Sequence, residues 1–329
     1  MNRSTFRRLI SAAALAASAL VAPSAIAGPF SSMFIFGDSL SDTGNLHIAS
    51  GGLFPDLSKG PYFNGRYSDG PLWVERLATD LGLSGQANPY LAGGNNFAFA
   101  GARTGTGSNP PGVLAQVVGI WNGIGDPNAL YIVVGGGNDM RDARSAFTGN
   151  SAADMAGREL AAEAAVGNLA SSLGFLALHG AKHVLISDLP DLGKSPEAVL
   201  LGLQAPSTDA TNRFNALMPS LLATGAGFGL DMSFLDMAGL LEAVITDTTS
   251  NGSAKYGITD ITHPCAGFEF STGVSCSVSL FSDVLHPSAA AHRLIGDAAF
   301  AAAVPEPETY ALFAFGLVAL ALRRLRQRR

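Results

Sequence analysis

The chain has 329 residues, enough for one large α/β domain, and is 47% hydrophobic against 14% charged, a balance that argues against disorder. A net charge of −6 argues against a nucleic-acid partner. Of 20 basic residues, Arg3, Arg7, Arg8, Arg323, Arg324, Arg326, Arg328 and Arg329 sit at the two ends. The body, Gly28 to Ala303, therefore keeps 12 basic residues against 24 acidic ones.

The N-terminus is basic, then apolar from Leu9 to Val21, then Ala25-Ile26-Ala27, an A-x-A pattern that predicts a secretory signal cleaved after Ala27. At about 1.5 Å per residue the run makes roughly 20 Å of helix, short of a ~30 Å hydrocarbon core. An uncleaved anchor is the alternative. Next, three short runs rich in β-branched and aromatic residues read as buried parallel strands: Met33-Phe36, Leu130-Val134 and His183-Ser187. Each stops at a turn, Gly37-Asp38, Gly135-Gly136-Gly137 and Asp188-Leu189-Pro190. Helical patterns span Ser151-His179 and Ser288-Ala303, and residues 40–70 and 248–282 read as long loops. Alternating strands and helices predict an α/β fold, an open parallel sheet with helices on both faces and ligands at the strands' carboxyl ends. Cys265 and Cys276 stand 11 apart with no metal-ligand spacing around them. Outside the cytoplasm they predict a disulfide, and two free buried thiols are the alternative.

Chemistry-bearing residues cluster at the strand ends. Ser39 follows Gly37-Asp38 on a tight turn. Alone, it reads better as a helix N-cap. Near the other end stands Asp283-Val284-Leu285-His286-Pro287, and an aspartate three residues before a histidine can orient the imidazole and stabilise its charged form. Gly136-Gly137-Asn138-Asp139 offers a side-chain amide at a strand end, and Asn95 to Arg103 contains Gly101, whose N–H is a second donor. Together they supply nucleophile, base, orienter and oxyanion donors.

Taken in chain order, these four segments resemble the four blocks of the SGNH, or GDSL, hydrolase family, and Gly37 to Asn45 is similar to its branch of secreted and autotransporter esterases and lipases. The resemblance implies a three-layer α/β/α flavodoxin-like fold over residues 28–303. It implies Ser39 as nucleophile, His286 as base and Asp283 as its orienter. The oxyanion donors would be the N–H groups of Ser39 and Gly101 and the amide of Asn138. It implies an ester substrate (lipid, acetylated polysaccharide or small ester) and no metal or organic cofactor. An acyltransferase on the same residues and a non-catalytic surface or matrix binding module remain as alternatives. Asp38, Asp42 and Asp139 are expected to hold loops through hydrogen bonds, and His47, His179, His183, His263 and His292 to lie outside the chemistry. Neither G-x-S-x-G nor H-E-x-x-H occurs, and Gly193-Lys194-Ser195 lacks the first glycine of a P-loop.

The end of the chain reads Val304-Pro305-Glu306-Pro307-Glu308, an apolar run Tyr310 to Leu322, and an arginine cluster. This resembles the PEP-CTERM sorting signal of Gram-negative bacteria, which implies processing by an exosortase over residues 304–329. It implies an exported protein at the cell envelope, at the surface or secreted, with a transient or retained inner-membrane anchor. An ordinary tail anchor is the alternative.

Overall fold

A computed structural model describes residues 29–304; the expected signal sequence and all but the first residue of the C-terminal segment lie outside the described residues. The chain runs β1 (Met33–Phe36), α1 (Asn45–Ala49), α2 (Trp73–Asp80), β2 (Leu130–Val133), α3 (Gly137–Ala146), α4 (Ala152–Leu178) and β3 (His183–Ser187). It continues with α5 (Pro196–Leu201), α6 (Gln204–Ala216), α7 (Met218–Gly227), β4 (Asp231–Leu235), α8 (Met237–Ser250), β5 (Asp260–Pro264), β6 (Ser279–Phe281) and α9 (Ala289–Ala303).

Strands β1 to β4 form one sheet in that order, every pair parallel. Because side chains alternate across a strand, the apolar runs serve two cores at once. Phe36, Tyr131, Val133, Val184 and Ile186 face one side, where α4, α6 and α7 bring Leu169, Leu173, Phe214 and Leu221. Met33, Ile35, Leu130, Ile132 and Leu185 face the other, against Trp73 and Leu77 of α2 and Ala299 and Ala303 of α9. The result is the three-layer α/β/α arrangement. Helix α4 is long and apolar enough to cross a membrane, yet Leu169, Leu173 and Leu176 lie in the first of these cores. Ser151 starts it, its hydroxyl accepting from the Asp154 N–H at 3.1 Å while Asp154 accepts from the Ser151 N–H.

A fifth extended segment lies on the far side of β1. Ile35 N–H donates to Asn95 O at 3.0 Å, Phe97 N–H to Ile35 O at 2.7 Å and Phe99 N–H to Gly37 O at 3.1 Å. The chain leaving β1 therefore visits one flank of that strand before crossing to β2 on the other. Such a reversal of strand order opens a crevice at the carboxyl end of the strand. Ser39 stands there.

Two expectations need correction. Residues 40–70 hold α1, and residues 248–282 hold the end of α8 and the parallel pair β5–β6. Strand β4 also escapes the apolar-run criterion: it is the sheet edge and four of its five residues are exposed or half-buried, so it needs no continuous apolar run.

Candidate active site

The turn after β1 is clamped from both sides. The Gln116 amide accepts from Gly37 N–H and donates to Gly37 O, each at 2.8 Å, so one side chain pairs the strand end as a neighbouring strand would. A side chain at Gly37 would start 3.0 Å from Val134 Cγ2. Ser41 and Asp42 N–H both donate to Asp38 O at 3.0 Å, and Asp38 Oδ1 accepts from Leu40 N–H at 3.1 Å. This tight turn lifts Ser39 out of the sheet.

His286 reaches Ser39 from the far end of the chain, its Nε2 2.9 Å from Ser39 Oγ. Its Nδ1 lies 2.8 Å from Asp283 Oδ2. The other carboxylate oxygen, Oδ1, accepts from the N–H groups of Leu285 at 2.8 Å and His286 at 2.7 Å, so the D-x-x-H spacing is closed by its own backbone. Burial pushes the Asp283 carboxyl up, but the neighbouring His286 and these hydrogen bonds outweigh it and hold it below the usual carboxylate range. Tyr62 adds a further donor, its hydroxyl 2.8 Å from Asp283 Oδ2. The Tyr67 ring leans over His286 with centroids 4.9 Å apart. Burial first, and then the Asp283 charge, pushes the Tyr62 hydroxyl well above its ordinary range, so it stays a donor.

Three donors belong to residues that share a trough with His286. The N–H groups of Ser39 and Gly101 find no acceptor among the described residues. Gly101 sits at φ +81°, in the left-handed region where glycine is at ease. Asn138, at the start of α3, donates one amide hydrogen to Ala102 O at 2.9 Å, and its Oδ1 accepts from Arg141 Nη1 at 3.2 Å. These partners settle which end of the amide is which and leave one N–H uncommitted. Arg141 is itself held by Glu197, which also pairs with the buried Arg144. Ser39, Gly101, Asn138 and His286 line one trough.

The remaining sequence candidates stay out of this geometry. Asp42 accepts from the N–H groups of Gly44, Asn45, Leu46 and Ala100, tying the turn after β1 to the Gly101 segment. Asp139 receives the Thr104 N–H and hydroxyl. Burial pushes Asp38 up to about 6. His292 is buried, accepts from Trp73 N–H at 3.3 Å, and is pushed down to about 3, chiefly by burial. His47 and His179 contact backbone carbonyls, and His183 and His263 pair with Asp231 and Asp260. Cys265 and Cys276 are joined as a disulfide. Their sulfurs lie beside Asp69 but, bonded to each other, are not metal ligands. Tyr62, Tyr67, Arg141 and Gln116 escaped the sequence reading; an aromatic pair in a Gly/Pro-rich loop and an arginine one turn after Asn138 were the only signals.

The profile of the GDSL-like Lipase/Acylhydrolase family matches residues 33–299. The chain belongs to this family. A second profile, the PEP-CTERM protein-sorting motif, matches residues 303–327. An uncharacterized protein from the trpE-trpG intergenic region of Pseudomonas putida is 32% identical over 89% of this chain and 51% of its own length. Esterase EstA of Pseudomonas aeruginosa is 30% identical over 90% of this chain and 50% of its own. The chain thus spans about half the length of these relatives. Among solved structures, an extracellular lipase of Streptomyces rimosus has 17% identity and a TM-score of 0.41, covering 83% of this chain and 100% of that one.

Proposed function

We propose that this protein is an exported serine ester hydrolase that works through an acyl-enzyme on Ser39. The observation that carries this is the unbroken chain Ser39 Oγ to His286 Nε2 at 2.9 Å and His286 Nδ1 to Asp283 at 2.8 Å, in a trough shared with the N–H groups of Ser39 and Gly101, which find no acceptor among the described residues. Ser39 attacks the ester carbonyl as His286 takes its proton. The carbonyl oxygen, now an oxyanion, receives the N–H groups of Ser39 and Gly101 and the free amide hydrogen of Asn138. Asp283 stabilises the imidazolium without taking its proton. His286 then gives the proton to the leaving alcohol oxygen. Water entering by the open trough repeats the sequence and frees the acid.

The 303–327 sorting motif and the expected N-terminal signal support export, with exosortase-type processing near the inner membrane and delivery to the envelope. The hydrolase body in this proposal is residues 28–303.

The test is hydrolysis of p-nitrophenyl acetate and butyrate by residues 28–303 beside Ser39→Ala, both checked by circular dichroism. Activity should fall by at least about 10³-fold in the variant. Retained activity in a folded Ser39→Ala protein would overturn the assignment.

A further inference from the structure

Two spaces of opposite character meet at Ser39. One is an open trough of about 630 Å³ whose walls carry Lys59, Tyr62, Glu197 and Glu269 beside the catalytic groups. The other is a smaller cavity of about 110 Å³ running behind Ser39 between α8, α9 and the strand β6. Its far wall is formed by Leu240, Leu241, Val244, Leu280 and Leu294, with no polar side chain among them. Ser39, Asn138, Arg141, Leu285 and His286 line both spaces, so an ester carbonyl on Ser39 has one substituent available to each.

We infer that the apolar cavity takes the acyl chain of the substrate, that it limits this chain to about four to six carbons, and that the trough takes the alcohol. This rests on the proposed Ser39 mechanism. A polyhydroxy alcohol in the apolar cavity would leave its hydroxyls without partners, whereas the trough offers them donors and acceptors. A saturated chain gains in the cavity by leaving water. The size limit follows from the volume: an apolar cavity of about 150 Å³ holds a benzene-sized guest, so one somewhat smaller suits a short chain and not a palmitoyl group.

The experiment compares two ester series. One varies the acyl group on a constant leaving group, as p-nitrophenyl acetate, butyrate, hexanoate and palmitate. The other varies the alcohol on a constant acetyl group, as ethyl and hexyl acetate. In the first, kcat/KM should rise about fourfold per methylene up to butyrate or hexanoate and collapse at palmitate. Leu241 lines the cavity and is half-buried, so a larger side chain there has room to settle. Leu241→Trp should lower the hexanoate-to-acetate ratio of kcat/KM about tenfold or more, and Leu241→Ala should move the preference to longer acyl chains. Circular dichroism separates a filled cavity from a misfolded protein. Loss of hexyl acetate hydrolysis with hexanoate unchanged would overturn the proposal by placing the alcohol in the cavity. Equal effects on every ester would overturn it too. Ser39→Ala in parallel keeps the two readings apart: activity surviving that change overturns the mechanism, while Ser39-dependent activity indifferent to acyl length overturns only the cavity assignment.

Discussion

Tyr62 and His286 share one oxygen: the tyrosine hydroxyl and the imidazole Nδ1 both lie 2.8 Å from Asp283 Oδ2. Tyr62 is in turn held edge-on by Phe268, with ring centroids 5.0 Å apart, on the loop that the Cys265–Cys276 bridge closes. Asp283, in the proposed role of orienting His286, thus depends on a hydroxyl from a loop early in the chain. A hydrogen bond to a charged group contributes about 1.5–3 kcal/mol. Tyr62→Phe should therefore lower kcat by about tenfold or more with KM nearly unchanged, because the lost contact steadies the imidazolium and not the ester. Steady-state kinetics on a short p-nitrophenyl ester would read this split.

Asn138 differs from the triad in what its loss should do. Losing one oxyanion donor costs about 10²–10³ in kcat. Asn138→Ala should show that loss with a normal unfolding midpoint. Arg141→Met should show a smaller one, since it frees the amide to rotate without removing it. If Asn138→Ala kept near-full kcat, its amide would not belong to the oxyanion site.

The disulfide should matter to both stability and rate. Its cysteines are 11 positions apart, and closing a loop of about a dozen residues stabilises by about 3 kcal/mol in the chain-entropy model. Cys265→Ser with Cys276→Ser should lower the urea unfolding free energy by about that amount. It should also lower kcat in the manner of Tyr62→Phe, through Phe268. Reductant should reproduce both effects in the parent protein and neither in the double variant.

Asp38 sets a pH dependence of stability. Burial is the main cause that lifts it to about 6 in the folded protein, above its ordinary range. The folded state therefore binds this proton more tightly than the unfolded chain does. The stability it contributes is complete below the ordinary carboxylate range and is lost as pH rises through about 6. Asp38→Asn keeps an acceptor for Leu40 N–H but does not ionise. Between pH 5 and pH 8 the parent should lose about 1 kcal/mol more than this variant. Urea midpoints at the two values measure it, and equal losses would refute it.

Legibility of the fold followed burial. β1, β2 and β3 carry apolar side chains on both faces, so they read as runs, while the edge strand β4 with Asp231 and Ser233 has no such need. The site was legible where its geometry is local. His286 and Asp283 lie within one turn closed by their own backbone, and Gly136 stands at φ +114° with the Phe214 ring where a side chain would go. Tyr62 lies 221 positions from the carboxylate it serves, and Gln116 lies 79 from the glycine it clamps. No spacing in the chain encodes such contacts.

The order of the blocks, the residue types at each strand end and the Asp283–His286 turn are properties of the sequence, because that turn is closed by neighbours two and three residues away. The closing of Ser39 on His286, the donors on Asp283 and Asn138, and the apolar cavity behind Ser39 belong to the tertiary structure. They arise only when the reversal at β1 and the packing of α8 and α9 bring distant side chains around one point.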